Sequence, residues 1–206
     1  MLVKHNNNSI SSITSAGQLA QGKMTLISEQ TASGSASIEF TSGIDSTYPI
    51  YKFEVTNLRS ASGQNLFMNF STDGGSNYNV TKTTTAFVSA NNEPGGEAPG
   101  SNLFYDSSYD LAQSTSDQNI GTIGKGGIHT GTDGGIAGNI FLFNPSSTTF
   151  VKHFIINIHA HSEYPGSSNG FVAGYCNTTS AINGVRFKPI NQNVYGTIKL
   201  YGIKGD

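Results

Sequence analysis

TFVKHFIINIHAH, residues 149–161, decides the fold. Phe154, Ile156, Ile158 and Ala160 fall on one parity, and His153, His159 and His161 on the other, with Glu163 continuing the polar set. Successive side chains of a β-strand point to opposite faces, so the stretch reads as a strand with one face in a core and one face outside it. The histidines belong to the outer face, turned to solvent or to a neighbouring subunit.

The same punctuation continues on both sides. Tyr51, Phe53 and Val55 alternate with Lys52, Glu54 and Thr56, and Leu66, Met68 and Phe70 repeat the pattern. Further runs occupy 24–28, 37–41 across an Ala-Ser-Gly turn, 78–88, 139–143, 171–176, 182–188 and 197–203. Ten or so short runs with no sustained 3.6-residue period predict an all-β, antiparallel sandwich with under about a tenth helix. Asp73-Gly74-Gly75 supplies residues suited to positive φ, so 71–78 reads as a hairpin turn. Residues 90–138 hold NNEPGGEAPG and GTIGKGGIHTGTDGG, which predict a Gly-rich excursion from the sandwich, interrupted by Leu103-Phe104-Tyr105 and by 109–112. The expected organisation is one β-sandwich domain over 23–206, preceded by an extended arm over 1–22.

That arm, MLVKHNNNSISSITSAGQLAQG, is too polar to form a core. Leu2, Val3, Ile10, Ile13 and Leu19 are spaced as anchors for a segment that binds elsewhere. Extended, it would reach roughly 70 Å, enough to cross onto a neighbouring subunit. It contains no apolar run of signal-peptide length, and no segment approaches a membrane helix.

Composition narrows the function. Only 12% of the 206 residues are charged and the net charge is −2, so there is no cationic field for nucleic acid. Twelve Phe and nine Tyr supply the aromatic mass that disordered chains lack. Ser, Thr, Asn and Gly dominate the remainder, which suits surfaces that pack against copies of themselves or bind neutral glycans. The single Cys176 permits no intramolecular disulfide and reads as a small buried hydrophobe.

Chemistry finds few footholds. His159 and His161 stand roughly 7 Å apart on one strand face, and with Glu163 or His129 as a third ligand they are the candidate metal site. The plainer reading is a polar outer face, so no metal and no cofactor is expected. No Gly-x-Ser-x-Gly elbow occurs among the serines. The loops around Lys125 and Asp133 do not fit a phosphate-loop pattern. Residues 71–78, STDGGSNY, resemble the Asp-box turn of sialidase-like propellers, which is a structural turn in those families and occurs once here. With no catalytic set in view, the chain reads as non-enzymatic.

Longer segments carry a broader resemblance. SIEFTSGIDSTYPIYKF (37–53), STDGGSNY (71–78), LFNPSSTTFVKHF (142–154), FVAGYCNTTSAINGVRFK (171–188) and GTIKLYGIK (196–204) resemble virion structural proteins of marine tailed bacteriophages. The likeness covers most of 23–204, and the Gly-rich middle around Gly95-Gly96 and 124–138 follows it least. It implies a jelly-roll-like sandwich assembled as a trimer, and it brings no catalytic residues. The expectation is a capsid decoration (cement) protein that binds the major capsid protein or other virion proteins, made in the host bacterial cytoplasm. The alternative is a short tail-fibre or receptor-binding tip that binds host surface glycans.

Overall fold

The 149–161 alternation is realised in a strand over Lys152–His161, in which Phe154, Ile156, Ile158 and Ala160 are buried while His153 and His159 are exposed. The computed structural model describes residues 24–93, 102–122, 127–163 and 166–204. The arm over 1–22, with its anchors Leu2, Val3, Ile10, Ile13 and Leu19, lies outside the described residues.

Among the described residues twelve strands follow in chain order: β1 (Met24–Ser35), β2 (Ile38–Phe40), β3 (Ile50–Ser60), β4 (Leu66–Ser71), β5 (Lys82–Asn92), β6 (Asn102–Tyr105), β7 (Gln118–Asn119), β8 (Ile136–Phe143), β9 (Lys152–His161), β10 (Gly166–Cys176), β11 (Gly184–Pro189) and β12 (Val194–Ile203). The only helical element among the described residues is one 3-10 turn at Ser107–Tyr109, and no helix is long and apolar enough to cross a membrane. The strands form two antiparallel sheets. The large one runs β1-β12-β3-β8-β9-β10-β5-β6, and the small one runs β2-β11-β4-β7.

Aromatic rings fasten the two layers. Phe53 of the large sheet meets Phe40 and Phe187 of the small sheet at 5.3 and 5.6 Å between centroids, both edge-on. Phe154 and Phe70 meet at 5.0 Å across the same interface. Such geometry sets the positive ring edge against the negative face and adds about 0.5–1.5 kcal/mol per pair beyond area burial. The chain is thus an antiparallel β-sandwich.

Several local expectations are corrected. The segment 71–78 is not a hairpin turn. β4 pairs with β11 and β7 in the small sheet, whereas β5 belongs to the large one, so this segment carries the chain between layers. The Asp73 carboxylate accepts from the Ser71 hydroxyl, the Asn77 amide N–H and the Asn77 side chain, while Gly74 and Gly75 take φ of 71° and 92°. These bonds hold the exposed Asp73 carboxyl down to about 2. The Ala32-Ser33-Gly34 segment is likewise no turn: β1 runs through it to Ser35, bulging at Ser33/Ser35 against β12. The run expected over 78–88 begins only at Lys82, because the crossover occupies the residues before it.

The Gly-rich excursion folds back onto the sandwich. It contributes β6 to one edge of the large sheet and β7 to one edge of the small sheet. Residues 109–112, expected as an apolar strand piece, instead leave the 3-10 turn and run beside β5. Where ladders are absent, side chains satisfy the backbone. Asp110 accepts from Ala86 N, Thr84 Oγ1 from Leu111 N, and Asn65 Oδ1 from the hydroxyl of Thr122.

One irregularity lies in mid-sheet. β3 bulges at Asn57, whose φ is 49°, so the registers with β8 and β12 both shift there. Gly138 of β8, at φ 152°, and Gly196 of β12, at φ 117°, flank the bulge from either side. A Cβ on Gly196 would run into the Asn57 carbonyl oxygen, and one on Gly138 into the Asn157 carbonyl oxygen.

Candidate functional site

The outer face of the large sheet is the first candidate. Leu26, Tyr201, Lys52, Phe141, Ile155, Ala173 and Thr85 are successive cross-strand partners over seven strands. A second row of partners runs Met24, Ile203, Ile50 and Phe143 beside it. The inward neighbours Tyr51, Leu142, Phe154, Ile156 and Leu200 are buried, which fixes this face as the outer one. Ile155 is 48% exposed, Leu26 50% and Met24 44%, while farther along the sheet Phe87 stacks on Phe171 at 5.0 Å and remains 41% exposed. Strands with a purely solvated face would carry polar residues there. Over Gly174 the face dips into a shallow depression bordered by Phe143, His153, Ile155, Tyr175, Thr83 and Thr85.

His159 and His161 sit at the far end of the same face, and their partners separate them. His159 Nε2 lies 3.0 Å from the Ser167 hydroxyl. His161 stacks on His129 with ring centroids 4.4 Å apart and planes 9° from parallel. Rings lying face on face send their in-plane nitrogen lone pairs along separate planes, not toward one ion. His129 Nδ1 accepts from Gly131 N, and the Glu163 carboxylate accepts from Gly127 N. Among the described residues no group of three or more His, Cys, Asp or Glu is placed to hold a metal ion. Of the expected ligands the fold brings His129 and His161 together and leaves His159 and Glu163 with other partners. The Lys125 loop lies outside the described residues.

A second cluster escaped sequence reading. Lys82 and Lys152 are both fully buried, and each is the cross-strand partner of the fully buried Cys176. Lys152 Nζ donates to the carbonyls of Phe150 and Thr178 at 3.0 and 3.2 Å. Lys82 Nζ donates to Asn69 Oδ1 at 2.8 Å and to the Val80 carbonyl at 3.0 Å. Asn69 is 1% exposed, and all sides of its amide are engaged. Oδ1 also accepts from Phe70 N at 2.9 Å, while Nδ2 donates to Asp117 Oδ1 at 2.7 Å and to the Thr115 carbonyl at 3.0 Å. Asp117 faces Arg186 at 3.6 Å and Lys188 at 3.5 Å. Burial pushes the Lys82 ammonium down to about 8, because a charge out of water is costly. The signal for Lys82 was its parity with Ala86 and Val88, which hydropathy alone overrides.

Burial also pushes the Cys176 thiol up to about 12, and the nearby lysines offset only part of that. The native chain at pH 8 should therefore resist iodoacetamide for hours and be alkylated fully once unfolded in urea. Rapid labelling of the native protein would show the thiol to be open. Comparison with protein-family models, with curated proteins and with solved structures finds no match for this chain.

Proposed function

We propose that the chain is a non-enzymatic structural protein of a tailed-phage particle, a capsid decoration protein that assembles as a trimer on the head surface. The observation that carries the assembly reading is the set of exposed apolar side chains on the outer face of the large sheet, Met24, Leu26, Ile155 and Phe87, in rows interrupted by Lys52. Large exposed apolar side chains grouped on one face of a folded domain mark an interaction site. Two further points support the reading. The segments quoted above resemble virion proteins, and the strand path is compatible with a jelly roll. With β5, β6, β9 and β10 set aside, the eight remaining strands visit large, small, large, small, small, large, small and large sheets in turn, the two-Greek-key path of that fold.

The test is assembly. Light scattering on the purified chain should give a trimer, and Ile155→Lys should give a monomer with an unchanged melting temperature, since Ile155 contributes nothing to the core. A native monomer, or an Ile155→Lys protein that still assembles, would defeat this use of the face. Copy number by quantitative mass spectrometry of particles should reach hundreds per virion.

One observation favours the alternative, a tail-fibre tip that binds host glycans. The depression over Gly174 is bordered by Phe143, His153, Ile155 and Tyr175, ring and apolar surfaces of the kind on which the face of a sugar stacks. A few tens of copies or fewer per particle would select that reading.

A further inference from the structure

We infer that Lys82 and Asn69 join in an intramolecular isopeptide bond, formed by the chain itself with Asp117 as the proton-transfer group. The inference is independent of any virion role. It stands on the placement of three side chains: an amine 2.8 Å from a carboxamide oxygen, and a carboxylate 2.7 Å from the nitrogen of the same carboxamide.

Amines do not attack amides in water, for three reasons, and this site addresses each. A lysine in water is protonated and has no free electron pair, whereas the fully buried Lys82 gives up its proton far more readily. The two groups must meet in a productive geometry, and here the fold holds amine and amide together with no translational freedom left to lose. An amide carbonyl is a poor electrophile, but Asn69 Oδ1 also receives the Phe70 N–H, a donor already aimed at the oxygen where negative charge would develop.

In the step, the neutral Nζ attacks Cγ of Asn69 and a C–N bond forms, while the carbonyl electron pair moves to Oδ1 beside the Phe70 N–H. Asp117 takes the proton that Nζ sheds and delivers it to Nδ2, to which it is already hydrogen-bonded. The Cγ–Nδ2 bond then breaks, the carbonyl re-forms and ammonia departs. One lysine ammonium and one carboxamide become one secondary amide and one ammonium ion, with no oxidant, reductant or cofactor. The product ties β4 of the small sheet to β5 of the large sheet, closing a covalent loop around the Asp73 crossover.

Intact-mass measurement of the purified full-length chain under denaturing conditions tests this. The mass should fall below that of the sequence by one ammonia in the whole population. Proteolysis should yield one branched species joining the peptides that contain Asn69 and Lys82. Asn69→Ala and Lys82→Met should each restore the mass expected from their own sequences, and Asp117→Ala should leave the bond unformed. Asn169-Gly170 and Asn183-Gly184 could also lose ammonia, by succinimide formation. A loss that persists in Asn69→Ala therefore overturns the inference. So does a native chain of full sequence mass whose Asn69 and Lys82 peptides separate, a result that needs no variant to fold.

Discussion

Ile156→Asp should abolish folding. Ile156 is 1% exposed and sits between Ile140 and Val172 on the inner face of the large sheet. The substitution removes the transfer free energy of the isoleucine, about 2–3 kcal/mol, and places a carboxyl with no partner where water cannot follow, which costs several kcal/mol more. The total is about 5 kcal/mol or more, comparable to the whole stability of a typical domain. His159→Ala, three residues on and on the outer face, should change stability by under about 1 kcal/mol. Circular dichroism and urea unfolding of the two variants measure the contrast. A folded Ile156→Asp protein beside an unfolded His159→Ala one would invert the register assigned to β9.

Gly138→Val should be nearly as damaging, for a backbone reason. Gly138 has φ 152° and lies opposite both Val55 of β3 and Ile158 of β9. A branched side chain there combines a disfavoured φ with a Cβ driven into the Asn157 carbonyl and the Ile158 Cα. The strands on both sides must part, at a cost of about 3 kcal/mol or more, which for a chain of this size lowers the melting temperature by roughly 10 °C. Gly74→Asn is the control. Its φ is 71°, which asparagine tolerates, and a Cβ there meets nothing within 4 Å. A Gly138→Val protein that melts with the parent would show that the sheet yields at the Asn57 bulge without loss.

The strands of the large sheet were legible in the sequence because most carry clean two-residue alternation, as 149–161 and 51–56 do. Sheet membership was not. Asp73-Gly74-Gly75 has the chemistry of a hairpin turn, yet β4 and β5 diverge into different layers, since the partner of a strand is set by its buried face and not by the nearest turn. The short apolar piece Leu103-Phe104-Tyr105 is realised as the edge strand β6, whereas the edge strand β7 was hidden. It is two residues long, and its pairing rests on β4, far back along the chain. The cross-strand row on the outer face required register between seven strands, so only its single members could be read, one run at a time. The buried lysines contradict the ordinary meaning of their residue type. Asn69 has the opposite parity to Leu66, Met68 and Phe70, and only the packing of 115–117 against it, from far along the chain, buries it.

The pairing of β1 with β12 sets how the domain bears load. Met24 lies opposite Ile203, so whatever the chain carries before the first strand and after the last departs from one corner of the sheet. Tension between those two departures pulls the β1–β12 ladder apart from its open end, rung by rung, and meets the resistance of a single hydrogen-bonded pair at a time. Tension between either departure and the outer face of the sheet acts along the strands instead, and must break many rungs together. A domain wired in this way is weak as a link in a chain and strong as a rivet.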